Sequence, residues 1–308
     1  MADASTDHHQ PYPRRGGTED ETNFPVLISL SGHSNINANG SDIRFTASDG
    51  VTLLPREIES YAGGTLTAWV KVPTISHIAS TSIYMYYGNT AATEPAATST
   101  YGSQNVWTNG YAGVWHMNDS NGMLNLNDST ANGNNARNNG GVATTTGPID
   151  GAAAFINQIG SALMNTSLDA QPSAIPQTTW SAWVYFTSNS GTASIMSDDV
   201  GGYGRDIEST GDGDGKYHIF YGANNLAPTS APLDQWHFIS LAYASNNVYF
   251  YRNGGPIYPW HSSHLSFLQY RFQLRRRRHR SYERPYHRGP CFFCCPVSRL
   301  EFNRISEP

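Results

Sequence analysis

The chain has 308 residues, 14% of them charged and 12% aromatic, with 29 glycines and a net charge of −5. That balance fits a soluble, β-rich chain of one or two domains, and neither a membrane span of about 18 apolar residues nor a charged-then-apolar signal peptide is visible. Charge is unevenly spread: up to Ser262 there are nine Lys/Arg against 21 Asp/Glu, a balance of −12, and after it ten arginines against three glutamates, a balance of +7.

Residues 1–22, MADASTDHHQPYPRRGGTEDET, are polar and aperiodic, which predicts a disordered leader. His8 and His9 lie in it side by side and read as an unstructured pair rather than a metal site. From Phe24 onward, short runs alternate with period two and are rich in β-branched and aromatic residues: PVLISL, DIRFTAS, VTLLPREIESY, LTAWVKVP and TSIYMYYG. These predict strands, with Asp49-Gly50 as a hairpin turn and Trp69, Val70 and Tyr84 to Tyr87 supplying core and face. Residues 23–93 are therefore expected to form a small antiparallel β-sandwich. Glu57 and Glu59 share one strand face at i, i+2 and read as solvated carboxylates.

The blocks NFPVLISL, NGSDIRFTASDGVTLLPREIES, AWVKVP and IYMYYGNTAAT together resemble the bacterial domain of unknown function 2341, a module of large secreted or surface proteins. Members usually begin with a further strand rich in Lys, Thr and Ile, whose place the leader takes here. Residues 94–110, within the Ala/Thr/Ser-rich run TAATEPAATSTYGSQNVWTNG, read as a linker.

A second strand set follows in residues 111–262: GVWHMN, AAAFIN, TWSAWVYFTS, TASIMSDD, KYHIFYGA, QWHFISLAYAS and NVYFYRNG, with turns at Asp214-Gly215 and Asn246-Asn247. Many strands at short spacing without helical periodicity predict a two-sheet jelly roll, so the fold class is all-β. GVWHMND, DSTANGNNA, GPIDGAAAF, TWSAWVYF and QWHFISLAY with VYFYRNG stand in the order of the concanavalin A-like lectin/glucanase superfamily, in its laminin-G-like form, and resemble it. His116 beside Trp115 reads as a packed framework residue.

What the resemblance implies is carbohydrate chemistry. Glycoside hydrolysis needs two carboxylates about one bond, and the superfamily's glucanase pattern E-x-D-x-x-E has no match here. Saccharide binding needs an aromatic platform with carboxylates and amides, often ordered by calcium through oxygen ligands. Asp198, Asp199, Tyr203 and Arg205 in the glycine-rich MSDDVGGYGRDIESTGDGDGK are the candidate ligand-binding residues. Asp128, Asp212 and Asp214 are the candidate calcium ligands, against turn formation as the rival reading of each. The expected function is a noncatalytic recognition module of a bacterial extracellular or cell-envelope protein, with a polysaccharide or a cell-surface glycan or protein as partner. The alternatives are a glycoside hydrolase or its accessory fragment, and a structural spacer of an adhesin. Neither a nucleic-acid partner nor a membrane span is expected.

Residues 263–308 obey other compositional rules. Arg275 to Arg278 with Tyr286, Phe292 and Phe293 can be read as a phosphate-and-base grip, and Cys291, Cys294, Cys295 and His287 as zinc ligands, but neither has a periodic frame or a second ligand pair. The superfamily's closing strand is absent from the sequence as written. Back-translated and read one base later, Arg284 to Glu301 permits GHITEVRVFSAARSADWN, a segment of the kind the superfamily ends on. The tail is accordingly read as frame-shifted and expected to be disordered.

Overall fold

The computed structural model describes residues 19–120, 122–155, 164–188, 193–198, 204–209, 214–221, 224–226, 229–244, 247–258 and 301–304. The chain divides into two units, one comprising Met1–Asn109 and the other Gly110–Ser263. Among the described residues the one helical element is a 3-10 turn, Ser103–Trp107; the rest of the regular structure is strand, as the all-β class requires.

The first unit holds β1 (Glu21–Leu30), β2 (Arg44–Thr46), β3 (Leu53–Leu54), β4 (Arg56–Ala62), β5 (Thr65–Ile75) and β6 (Ser82–Tyr86). One sheet runs β1-β5-β4 and the other includes β6-β2-β3, all antiparallel. Between them lie Val26, Ile28, Ile43, Phe45, Leu66, Val70, Val72 and Ile83, each at most 1% exposed. A side chain of this size contributes about 1.5–3 kcal/mol when fully buried. The run VTLLPREIESY, expected as one strand, is two. Pro55 lacks an N–H for the ladder, so β3 stays in one sheet while β4 crosses to the other, making the corner of the sandwich. At the opposite end of β4, Gly63 and Gly64 both adopt positive φ (57° and 82°), the two-residue turn that matches strand twist. The Asp49-Gly50 turn joins β2 to β3, with Gly50 at φ 71° and Asp49 Oδ1 accepting the N–H groups of Val51 and Thr52, both at 2.9 Å.

The segment read as a linker is packed instead. Val106 and Trp107 are buried, Trp107 lying 5.1 Å from Trp69 on the face of β5 that points away from the core. Arg56, 1% exposed, donates from Nη1 and Nη2 to Glu94 at 2.7 and 2.8 Å and from Nε to the Ile43 carbonyl at 2.6 Å. The backbone N–H of Arg56 reaches the Tyr101 carbonyl at 3.2 Å.

The second unit begins with short pairings: β7 (Asp119–Ser120) with β8 (Met123–Leu124), β9 (Arg137–Asn138) with β12 (Met164–Asn165), and β10 (Val142–Thr146) with β11 (Gly151–Phe155). Two four-stranded antiparallel sheets follow. One has the order β13-β18-β19-β20, built from Thr178–Val184, His237–Ala244, Asn247–Arg252 and Gly255–Tyr258. The other has the order β14-β15-β16-β17, built from Ala193–Ser197, Arg205–Ser209, Tyr217–Tyr221 and Asn224–Leu226. Their facing sides share one core that includes Trp180, Val184, Ile207, Ile219, Leu241 and Phe250. GVWHMN, expected as the first strand, joins no ladder among the described residues, although Val114, Trp115, His116 and Met117 are all buried. A last strand, β21 (Glu301–Arg304), pairs in parallel with β6. It departs from the expected disordered tail over those four residues; the rest of the arginine and cysteine run lies outside the described residues.

Candidate functional site

Asp128 is 7% exposed, and its carboxylate is fully engaged by its own loop. Oδ1 accepts the N–H groups of Val114 and Thr130 at 3.0 and 2.9 Å; Oδ2 accepts the Thr130 hydroxyl and the Asn134 N–H, both at 2.8 Å. Four donors use the lone pairs that a calcium ion needs and point their positive ends where the ion would sit. Asp128 is thus a loop organiser, and its expected role as a calcium ligand is corrected.

Arg205 was expected in a glycine-rich loop but lies in β15, pointing into the sandwich at 1% exposure. Nη1 donates to the carbonyls of Ala170 and Ile175 and Nη2 to that of Pro176, at 3.1, 2.8 and 2.7 Å, and the guanidinium stands 4.9 Å above the Tyr243 ring. Burial lowers its pKa, opposed by the nearby Tyr243, Tyr221 and Asp198. Asp198, also 1% exposed, closes β14 onto β15 through its N–H to the Arg205 carbonyl at 2.7 Å. Neither side chain reaches a surface, so the expected ligand-binding roles of Asp198 and Arg205 are corrected to internal ones. Asp214 caps a turn: it accepts the Lys216 N–H at 2.9 Å and faces Lys216 Nζ at 3.3 Å and His218 Nε2 at 3.1 Å, and these bonds hold its pKa down to about 2. Asp199, Tyr203 and Asp212 lie outside the described residues. Among the described residues no three His, Cys, Asp or Glu side chains converge as a metal site.

Glu57 and Glu59 are not solvated carboxylates. Trp107 Nε1 donates to Glu57 at 2.6 Å and Trp69 Nε1 to Glu59 at 2.7 Å, with a bulge between Ile58 and Ser60 bringing both acceptors onto the tryptophan pair.

Two further carboxylates escaped the sequence reading. Asp206 and Glu208 alternate on β15, on the side away from the core, where the register sets Asp206 opposite Ser197 and Phe220 and Glu208 opposite Ser194 and His218. Asp206 is 8% exposed and accepts the Ser194 hydroxyl at 2.9 Å. Burial raises its pKa well above the ordinary range, the Glu208 charge adds to that, and the serine hydrogen bonds oppose it. A glycosidase opens its carboxyl pair to a glycosidic bond; Asp206, 8% exposed, is buried instead. The D-x-E alternation in RDIES was the available signal.

The outward side of the β13-β18-β19 sheet has a different chemistry. Because successive side chains alternate, Trp180, Ala182, Val184, Ile239, Leu241 and Tyr243 enter the core, while Ser181, Trp183, Phe238 and Ser240 face away from it. Trp183 is opposite Phe238, with ring centroids 5.6 Å apart, and Ser181 is opposite Ser240, which is opposite Tyr251 on β19. Tyr249 joins the same face across from Ala242. The Trp183, Tyr249 and Tyr251 rings are half-buried, and Ser181, Phe238 and Ser240 are buried. Ser181 Oγ, Ser240 Oγ and Trp183 Nε1 are buried with no hydrogen-bond partner among the described residues. Each such group costs about 1–3 kcal/mol, and Thr178 Oγ1 and Trp180 Nε1 on the core-facing side of the same strand are in the same state.

Fold and faces together define a chain of two β-sandwich modules, the second of concanavalin A-like class. Residues 39–122 match the family model of the Domain of unknown function (DUF2341), and residues 159–258 match the Laminin_G_3 model of the Concanavalin A-like lectin/glucanases superfamily, in the order in which the resemblances stand in the sequence. The first match runs through the packed segment 94–107. No curated protein matches the chain. Solved structures similar to it include the binding domain of Paraclostridial Mosquitocidal Protein 1, at 13% identity over 57% of this chain and 42% of that one with a TM-score of 0.38. Domain 4 of AbnA, a GH43 extracellular arabinanase from Geobacillus stearothermophilus, in complex with arabinotriose, is similar at 17% identity over 55% of this chain and 86% of that one, TM-score 0.33. Trypanosoma rangeli sialidase in complex with 2,3-difluorosialic acid is similar at 11% identity over 81% of this chain and 38% of that one, TM-score 0.38. The chain thus spans less than half the length of the first and third of these.

Proposed function

We propose that the second module is a noncatalytic glycan-recognition module of a secreted or cell-envelope protein, binding through the aromatic face of the β13-β18-β19 sheet. The observation that carries this reading is the conjunction of the partly exposed rings Trp183, Tyr249 and Tyr251 on one sheet face. Aromatic faces stack on the apolar face of a sugar ring, and hydroxyls exchange hydrogen bonds with its edge. The superfamily match of residues 159–258 supports the carbohydrate class. The burial of Asp206, 8% exposed, weighs against hydrolysis by the Asp206 and Glu208 pair. The extracytoplasmic setting rests on the Asn, Ser, Thr and Gly-rich composition before Ser263 and on the absence of cysteine there.

The test is retention of the full chain in affinity gels cast with a panel of polysaccharides, with reducing-end release measured in parallel. Retention without sugar release, lost in Trp183→Ala and Tyr251→Ala, is the expected result. Release of reducing ends, or retention untouched by both substitutions, would overturn it.

A further inference from the structure

We infer that the outer edge of β6 is a strand-addition site of the first unit, and that its occupant is the chain's own segment Glu301–Arg304. The site owes nothing to the glycan-recognition reading of the second unit. A sheet edge presents a row of unpaired N–H and C=O groups, and proteins blunt it with proline, a short strand, charge or a covering segment. In the β1-β5-β4 sheet both edges are treated in this way. β1 holds Pro25, which has no N–H, and Asn23, which leaves the extended region at φ 50°, while Asn109 Nδ2 covers the Thr22 carbonyl at 3.0 Å. β4 runs beside the packed segment 94–107, whose Tyr101 carbonyl takes the Arg56 N–H at 3.2 Å. In the other sheet β3 is two residues long and stops at Pro55.

β6 has none of these devices. It reads Ser82-Ile83-Tyr84-Met85-Tyr86, without proline, glycine or a charged residue. Its alternation is regular: Ile83 and Met85 are buried in the core, and Ser82, Tyr84 and Tyr86 are half-buried on the other side. β2 takes one of its two backbone edges, pairing at Tyr84, Met85 and Tyr86. A regular strand with its second edge open is a template for another extended segment, held by main-chain hydrogen bonds. Such a segment is seated there. Glu301 to Arg304 lie parallel to β6 in unbroken register, Glu301 with Ser82, Phe302 with Ile83, Asn303 with Tyr84 and Arg304 with Met85. Val297–Pro308 accordingly group with the first unit.

Two features favour the chain's own segment over the same segment of a second copy. A parallel pair cannot be closed by a tight turn and needs a connection of about a dozen residues or more. The chain between Tyr86 and Glu301 is far longer, so the segment reaches β6 within one molecule. A ladder of four residues also offers few hydrogen bonds, each of small net value. It is favoured where a tether raises the effective concentration of the segment above that of a separate molecule. Glu, Phe, Asn and Arg at 301–304 each carry a backbone N–H, so nothing in the segment interrupts the ladder.

Hydrogen exchange of the full chain, followed by mass spectrometry, tests both parts of the inference. Alternate N–H groups of an added strand face β6, so Phe302→Pro/Asn303→Pro removes a donor whichever of the two is turned inward. In this variant the Ser82–Tyr86 amides that face away from β2 should exchange at least about fivefold faster, while β1, β5, β13 and β18 exchange as in the parent. A chain ending at Pro296 should behave as the proline variant does. In the parent, protection of Ser82–Tyr86 should stay constant over about a hundredfold range of protein concentration, as a tethered strand requires. Equal exchange at Ser82–Tyr86 in parent, proline variant and shortened chain would overturn strand addition at β6. Protection that grows with the concentration of the parent would overturn the chain's own segment as occupant and assign the edge to a second copy.

Discussion

Arg56 and Glu94 form a bidentate ion pair, 2.7 and 2.8 Å, in which the arginine is 1% exposed and the glutamate side chain 48% exposed. The pair pins residues 94–107 to the sandwich across 38 positions of sequence. Glu94→Ala leaves the Arg56 head group with its bonds to the Ile43 and Ser41 carbonyls alone. Because one partner is half-exposed, the loss is set below that of a fully buried pair, at about 1–3 kcal/mol. Denaturant unfolding checks the magnitude, and limited proteolysis checks the cause: cleavage within 94–110 should accelerate in the variant. Equal cleavage rates in both proteins would mean that the segment behaves as a free linker.

Asp206 predicts a stability slope on the alkaline side. Its folded pKa is raised above the ordinary carboxyl value, so the folded state holds a proton that the unfolded state releases above about pH 4. Stability therefore falls as pH rises from there through the folded pKa. Asp206→Asn keeps the shape of the protonated acid and carries no charge. It should flatten the slope and be the more stable protein at neutral pH. A steeper slope in the variant would show that Asp206 is ionised in the fold.

His237 predicts the acid side. It is 1% exposed, pairs through Nε2 with the Tyr217 hydroxyl, and has its pKa lowered to about 4, chiefly by burial. The unfolded chain takes up the proton first, so stability should fall as pH drops from about 6.5 to about 4, by about 3 kcal/mol. Thermal melts at half-unit pH steps measure it. His237→Gln, which does not titrate, should lose that acid slope whatever its overall stability; the same slope in the variant would assign the effect to another group.

Asp128 predicts calcium-independent destabilisation. In Asp128→Asn one carboxylate oxygen becomes an amide donor facing the Thr130 hydroxyl and the Asn134 N–H, or the Val114 and Thr130 N–H groups if the amide is flipped. A cost of about 1–3 kcal/mol follows from the buried donors left unpaired. The decrease in melting temperature should be equal with calcium and with chelator. A calcium-dependent difference that vanishes in the variant would restore Asp128 as a ligand.

How far the sequence reached can be judged from single residues. Period-two runs located β1, β5, β6, β13, β16, β18 and β19, because alternation and β-branching are properties of a few consecutive residues. The ordered blocks likewise carried both family resemblances, which the matches at 39–122 and 159–258 bear out. RDIES was placed in a loop because a strand with a lone central isoleucine has no apolar stripe; its order comes from Arg205 bonding carbonyls 29 to 35 residues away. Asp128 and Arg205 looked like surface ligands because local composition does not report which polar groups the chain folds onto itself. TTWSAWV shows the limit most directly. The alternation in it separates Trp180 from Trp183, yet both are tryptophans in a strand, and nothing within seven residues says which one turns toward the core. The second sheet decides that by covering one side, burying Trp180 among Ile207, Tyr217 and Leu241 and leaving Ser181, Trp183 and Ser240 on the other side.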